Sequence, residues 1–137
     1  MKGIVLLSHG PMAKGVYETV QWFFGKEVEQ LDYLCLKEDD QQLQFIHSIA
    51  DKIAGVDAGE GVIVFADLYG GTPCNCCIDL LNDKIELIAG MNLTILIELL
   101  GNRLSGDYDI EKLLEMGRQG LVQVKKHEVD MNDDFFD

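Results

Sequence analysis

The chain has 137 residues, 47% of them apolar, and 24 Asp and Glu against 11 Lys and Arg, a formal charge of -13. This is one domain's length with enough apolar material for a core, and its acidic surface repels phosphates, which excludes nonspecific binding to nucleic acid or an anionic membrane. The apolar run in "MKGIVLLSHG" is too short for a signal peptide and no run is long enough for a transmembrane helix, so a cytoplasmic address is expected.

Short β-branched runs alternate with amphipathic ones along the chain. "KGIVLL" reads as a first strand, and "MAKGVYETVQWFFG" as a helix with Val16, Val20, Phe23 and Phe24 inward and a stop at Gly25. "VEQLDYLCL" is a second strand, its alternation suggesting one more exposed face. "DDQQLQFIHSIADKIAG" is a second helix with Leu43, Ile46, Ala50 and Ile53 on one stripe, acids at its start and Gly55 at its end. "GVIVFAD" is apolar almost throughout, as a central strand covered on both faces must be, and delivers Asp67 at its end. "TPCNCCIDLLN" opens a helix with Thr72 as the expected N-cap and Pro73 at the first position. "KIELIAG" is a fourth strand, "MNLTILIELLGN" and "DIEKLLEMGRQG" are helices, and "LVQVKK" is a weak last strand. The expected domain spans residues 1–126, followed by an acidic, loose tail at 127–137.

Repeated βα units predict an α/β fold: a mainly parallel sheet with helices on both faces and right-handed crossovers. Such sheets bind ligands at the C-terminal ends of their strands. His9 and Asp67 both fall there, and each leads through glycine into a helix, in "HGPMAKG" and "DLYGGTP". A helix N-terminus preceded by glycines and a hydroxyl, as in "YGGT", suits phosphate. A histidine beside it can attack phosphorus with one ring nitrogen while a carboxylate, here Asp67, holds the other and stabilises the developing positive charge. Singly, each residue has a plainer role: His9 in a turn, Asp67 capping one, the glycines tightening it and Thr72 capping a helix. Their conjunction at neighbouring strand ends favours chemistry. His47 and His127 carry no such context.

Cys35, Cys74, Cys76 and Cys77 include one C-x-x-C but no second ligand pair, so they read as reduced, partly buried thiols; no metal or cofactor is expected.

"SHGPMAKG", "DLYGGTPCN" and "AGMNL" strongly resemble the mannose-type enzyme IIA (mannose/fructose/sorbose family) of the bacterial phosphoenolpyruvate-dependent sugar phosphotransferase system, over about residues 2–125. The resemblance implies a phosphotransferase acting through phosphohistidine at His9, with Asp67 as its hydrogen-bonding partner and Gly71 and Thr72 holding the phosphoryl group. Gly10, and Leu68 through its backbone N–H, complete the candidate phosphate contacts; many relatives carry a hydroxyl residue at the Leu68 position. The implied donor is the histidine-containing phosphocarrier protein and the acceptor an enzyme IIB, here a separate protein. The membrane is reached only through IIC and IID subunits. A homodimer exchanging "LVQVKK" between sheets is also implied. Other readings are the phosphotransfer subunit of a dihydroxyacetone kinase, a cysteine-based metal or redox module, and a regulatory binding domain that has lost transfer.

Overall fold

A computed structural model describes residues 1–106 and 108–127. Four strands, β1 (Gly3–His9), β2 (Leu31–Leu36), β3 (Val62–Ala66) and β4 (Ile85–Ala89), form one sheet in the order β2-β1-β3-β4, every pair parallel. Helices α1 (Met12–Phe24), α2 (Gln42–Val56), α3 (Thr72–Ile78), α4 (Leu93–Asn102) and α5 (Ile110–Gln119) connect and cover it.

Strand periodicity divides the core in two. Ile4, Leu6, Ile63 and Phe65 face one layer with Val20 of α1, Leu96 and Leu99 of α4 and Leu113 of α5. Val5, Leu7, Val62 and Val64 face the other, with Phe45, Ile49 and Ile53 of α2 and Cys76 and Cys77 of α3. Residues 4–7 and 62–66 are fully buried, as expected of two central strands, whereas β2 is half-buried beyond Leu31 because only β1 pairs with it.

Several boundaries differ from the sequence reading. The buried stripe of α2 is Phe45, Ile49, Ile53 and Val56, and Leu43 is exposed, so the helical period held but its phase was set by the aromatic residue. The helix runs through Gly55 to Val56 and starts after Asp39 and Asp40, so its first turn holds no acid; Asp40 instead accepts from Lys37 N at 2.8 Å. In α1, Ala13 and Val20 are buried while Trp22, Phe23 and Phe24 project outward. The cap of α3 is Gly71 rather than Thr72, which is the first helical residue, and the helix ends at Ile78. Residues 121–126 form no strand within this chain, and Leu121, Val122 and Val124 are exposed. An extended segment without a ladder partner has its hydrogen-bonding groups unmatched by sheet, so the weak periodicity there needs a second edge to become a strand. Of the expected tail, residues 128–137 lie outside the described residues.

A contact invisible to hydrophobic patterning locks the strand origins. Arg103, only 5% exposed, donates to the carbonyls of Glu29 at 2.5 Å and Gln30 at 3.1 Å. Gln30 is the one described non-glycine residue with positive φ, and its carbonyl also accepts from Ile4 N at the start of the β1 ladder. Burial lowers the Arg103 pKa, and the nearby Tyr108 and Glu29 oppose that shift.

Candidate functional site

In the order β2-β1-β3-β4 the chain leaves β1 toward β2 and later returns to the other side, so the switch in strand order falls between β1 and β3. A crevice opens at the carboxyl ends of such a pair. His9 is the last residue of β1, and Asp67 follows the last residue of β3.

One carboxylate oxygen holds the histidine twice. Asp67 Oδ2 accepts from His9 N at 3.0 Å and lies 3.0 Å from His9 Nδ1. The Asp67 side chain is 11% exposed and that of His9 46%, so a largely buried anion orients a ring that reaches solvent. Asp67 Oδ1 is buried and accepts no hydrogen bond among the described residues. The carboxylate charge is therefore concentrated on His9, in surroundings that strengthen the interaction.

With Nδ1 occupied, the lone-pair nitrogen is Nε2, and the structure shows what it faces. A Cβ placed on Gly71 would sit 3.2 Å from His9 Nε2 and 2.6 Å from Cε1, so the imidazole lies against the backbone that opens α3. Gly71 has an ordinary extended conformation, φ -80 and ψ 168; glycine is needed there for space. Gly70 is needed for conformation, with φ +82, and Asn75 Nδ2 donates to its carbonyl at 3.0 Å to hold the loop. The first N–H groups of a helix have no intrahelical acceptor, so this backbone can donate to a phosphoryl group on Nε2.

The other candidates lie around this pair. Gly10, with φ +57, turns the chain after His9, and its N–H is taken by Leu36 O at 2.8 Å, so its contribution is the turn rather than a free donor. Leu68 is exposed, with its side chain on the Gly71 side of the crevice. Thr72 is half-buried and stands inside α3 as its first residue rather than at its cap.

Sequence reasoning missed Ser8. It is fully buried; its hydroxyl donates to Gly10 O at 2.9 Å and accepts from Ala13 N at 2.7 Å. One side chain thus closes the turn after His9 and satisfies a first-turn donor of α1, acting as a cap from five residues upstream. The signal was a lone polar residue in an apolar strand.

The cysteines lie as the sequence reading expects, as free thiols that are buried or partly buried. Cys74, Cys76 and Cys77 are buried, all four cysteines are free, and among the described residues no group of three His, Cys, Asp or Glu side chains is placed to hold a metal ion. Burial, reinforced by its cysteine neighbours, lifts the Cys77 thiol to about 12, the opposite of what a nucleophilic thiolate requires. Nor is any described helix long and apolar enough to cross a membrane.

A parallel α/β sheet with a carboxylate-held histidine at its switch point defines a compact histidine-centred domain, and known proteins share its fold. The chain is 27% identical, at a TM-score of 0.84, to the PTS IIA protein associated with the fucose utilization operon of Streptococcus pneumoniae, covering 93% of this chain and 96% of that one. It is 26% identical, at a TM-score of 0.76, to the mannose/sorbose-specific IIA subunit of the phosphotransferase system of Enterococcus faecalis, over 91% and 96% of the two chains. The PTS system mannose-specific EIIAB component of Escherichia coli K12 is 28% identical over 133 residues, 93% of this chain but 41% of that protein's length. The fold is that of a phosphotransferase-system IIA component. Residues 3–116 match the family model EIIA-man, PTS system fructose IIA component, and the chain belongs to that family.

Proposed function

We propose that the protein is a phosphohistidine carrier, taking a phosphoryl group from the histidine-containing phosphocarrier protein onto His9 and passing it to an enzyme IIB in sugar uptake. The observation that carries this reading is the double contact of Asp67 Oδ2 with His9, which leaves Nε2 alone to react. Nε2 attacks the phosphorus of the donor phosphohistidine; the donor's P–N bond breaks and its electron pair returns to the donor ring. Nδ1 keeps its proton throughout, and the positive charge that the phosphorylated ring acquires faces Asp67. The opening backbone of α3 at Gly71 and Thr72, and the Leu68 N–H, receive the phosphoryl oxygens. Phosphoryl transfer needs chiefly positioning and charge stabilisation, so no cofactor is invoked.

In this reading the carrier works in the cytoplasm and meets the membrane only through IIC and IID subunits. A homodimer in which residues 121–126 pair with the partner's open β4 edge would bury Leu121, Val122 and Val124, which are 87%, 68% and 71% exposed in one chain. The test is incubation with phosphoenolpyruvate, enzyme I and the phosphocarrier protein, read by intact mass. An acid-labile phosphoryl adduct absent from His9→Ala is expected; an adduct that persists in that variant overturns the assignment.

A further inference from the structure

A second concavity adjoins the histidine turn. It has a volume of about 560 Å³ and runs along the open edge of β2, with Gly10 and Pro11 in its wall beside Asp32, Cys35 and three lysines, Lys14, Lys37 and Lys52. That volume is in the range of small-molecule sites. The charge of its lining residues is opposite to that of the chain: three lysines against one aspartate, in a protein of formal charge -13. Lys52 and Asp32 pair at 3.0 Å, and Asp32 also accepts from Tyr33 N at 2.8 Å. The ammonium groups of Lys14 and Lys37 have no partner among the described residues.

The strand itself adds a donor. Gln30 O and Leu36 O accept from β1, at 2.8 Å each, so the even-numbered residues between them face β1 and the odd-numbered ones face the open side. Asp32 occupies the Tyr33 N–H; the Cys35 N–H is left turned to the open edge, in a cleft whose lining also includes Lys14 and Lys37. Two lysines without an ion-pair partner among the described residues and an edge backbone N–H, all lining one partly apolar cleft, suit a phosphate group carried on a small organic body.

We propose that this cleft binds a small phosphorylated metabolite, at a site distinct from His9 and sharing only the turn at Gly10 and Pro11 with it. The turn makes the two sites neighbours in a physical sense. Ser8 Oγ, which holds Gly10 O, lies 4.0 Å from Cys35 Sγ in the cleft wall, and Gly10 N is bonded to Leu36 O. Occupancy of the cleft therefore bears on the backbone from which His9 projects. The binding inference does not depend on His9 being phosphorylated.

Lysines beside an open strand edge also keep other strands from pairing there, and that service alone would need no ligand. Titration of the ¹⁵N-labelled protein separates the two. The probes are a hexose 6-phosphate, inorganic phosphate and the unphosphorylated hexose, with sodium chloride at matched ionic strength as reference. Saturable amide shifts at Gly10, Lys14 and Cys35 are expected with a phosphate-bearing probe, and at least tenfold weaker binding in the Lys14→Gln/Lys37→Gln double variant with its melting temperature unchanged. Saturation by the hexose 6-phosphate alone identifies an organic phosphate; equal saturation by inorganic phosphate replaces it with the free ion and overturns the metabolite assignment. Shifts no larger than the salt reference, or equal affinity in the double variant, overturn the site altogether.

Discussion

Replacing Gly71 with alanine tests whether the placement of the imidazole, rather than the mere presence of His9, sets the transfer rate. Gly71 has φ -80 and ψ 168, which alanine adopts without strain, so the backbone is not perturbed. The new methyl carbon would lie 2.6 Å from His9 Cε1, whereas nonbonded carbons settle at about 3.5–4.0 Å. The ring must withdraw by roughly 1 Å, which carries Nδ1 away from Asp67 Oδ2, at present 3.0 Å distant. A hydrogen bond to a charged group contributes about 1.5–3 kcal/mol, and a misplacement of this size at a reacting centre costs on the order of a hundredfold in rate. Rapid-quench measurement of phosphoryl uptake from the phosphorylated carrier protein, with a thermal melt to show the variant folds, is the assay. Uptake by a folded Gly71→Ala within threefold of the parent refutes the argument that ring position is limiting.

Asp67→Asn keeps an oxygen for both His9 donors but loses the charge; the difference between charged and neutral hydrogen bonds, about 1–1.5 kcal/mol, predicts roughly tenfold slower transfer with folding intact. Equal rates would remove the carboxylate from the mechanism. Arg103→Met should destabilise the fold by about 2–4 kcal/mol in urea titration, because the Glu29 and Gln30 carbonyls lose a buried charged donor; a loss under about 0.5 kcal/mol would show that water replaces it. For Cys77, the folded-state value of about 12 lies above the ordinary thiol value of 9.0, so the unfolded chain releases this proton first as pH rises. Stability from the buried thiol is complete below pH 9 and lost between 9 and 12, with a loss of about 1 kcal/mol by pH 10. Cys77→Ala should lose correspondingly less stability between pH 8 and 10, and an identical pH dependence in both proteins would contradict the burial argument.

Those residues also mark how far the sequence alone reaches. Strand-helix alternation and the apolar run before Asp67 were sufficient for the parallel sheet, because a strand buried on both faces has few alternatives. His9 and Asp67 were legible as neighbours since both end strands, and topology rather than side-chain identity brings strand ends together. Helix phases were less secure. In α2 the period fits a stripe through Leu43 as readily as one through Phe45, and only packing against Val5 and Leu7 decides it. Phe23 and Phe24 were assigned inward on hydrophobicity, yet they end a helix whose contact with the sheet is already made by Ala13 and Val20. Thr72 has the composition of a cap, but the loop places Gly71 at that position because the imidazole occupies the space a side chain would take. Arg103 and Ser8 were out of reach, since each serves backbone groups distant in sequence or hidden in a turn. Residues 121–126 have strand composition without a strand in the described chain, because pairing depends on an available edge and composition does not report one.

The shared oxygen of Asp67 also bears on timing. A solvent-facing histidine ordinarily samples several rotamers and must give them up each time it is docked, a recurring entropic loss of the order of 1 kcal/mol. Here the same atom that fastens the end of the strand also holds the ring, which favours one rotamer between encounters and lowers that loss. Under the proposed function, in which one nitrogen meets a donor and then a different acceptor, this would be a gain twice per cycle. Neither collision has to wait for the imidazole to find its pose.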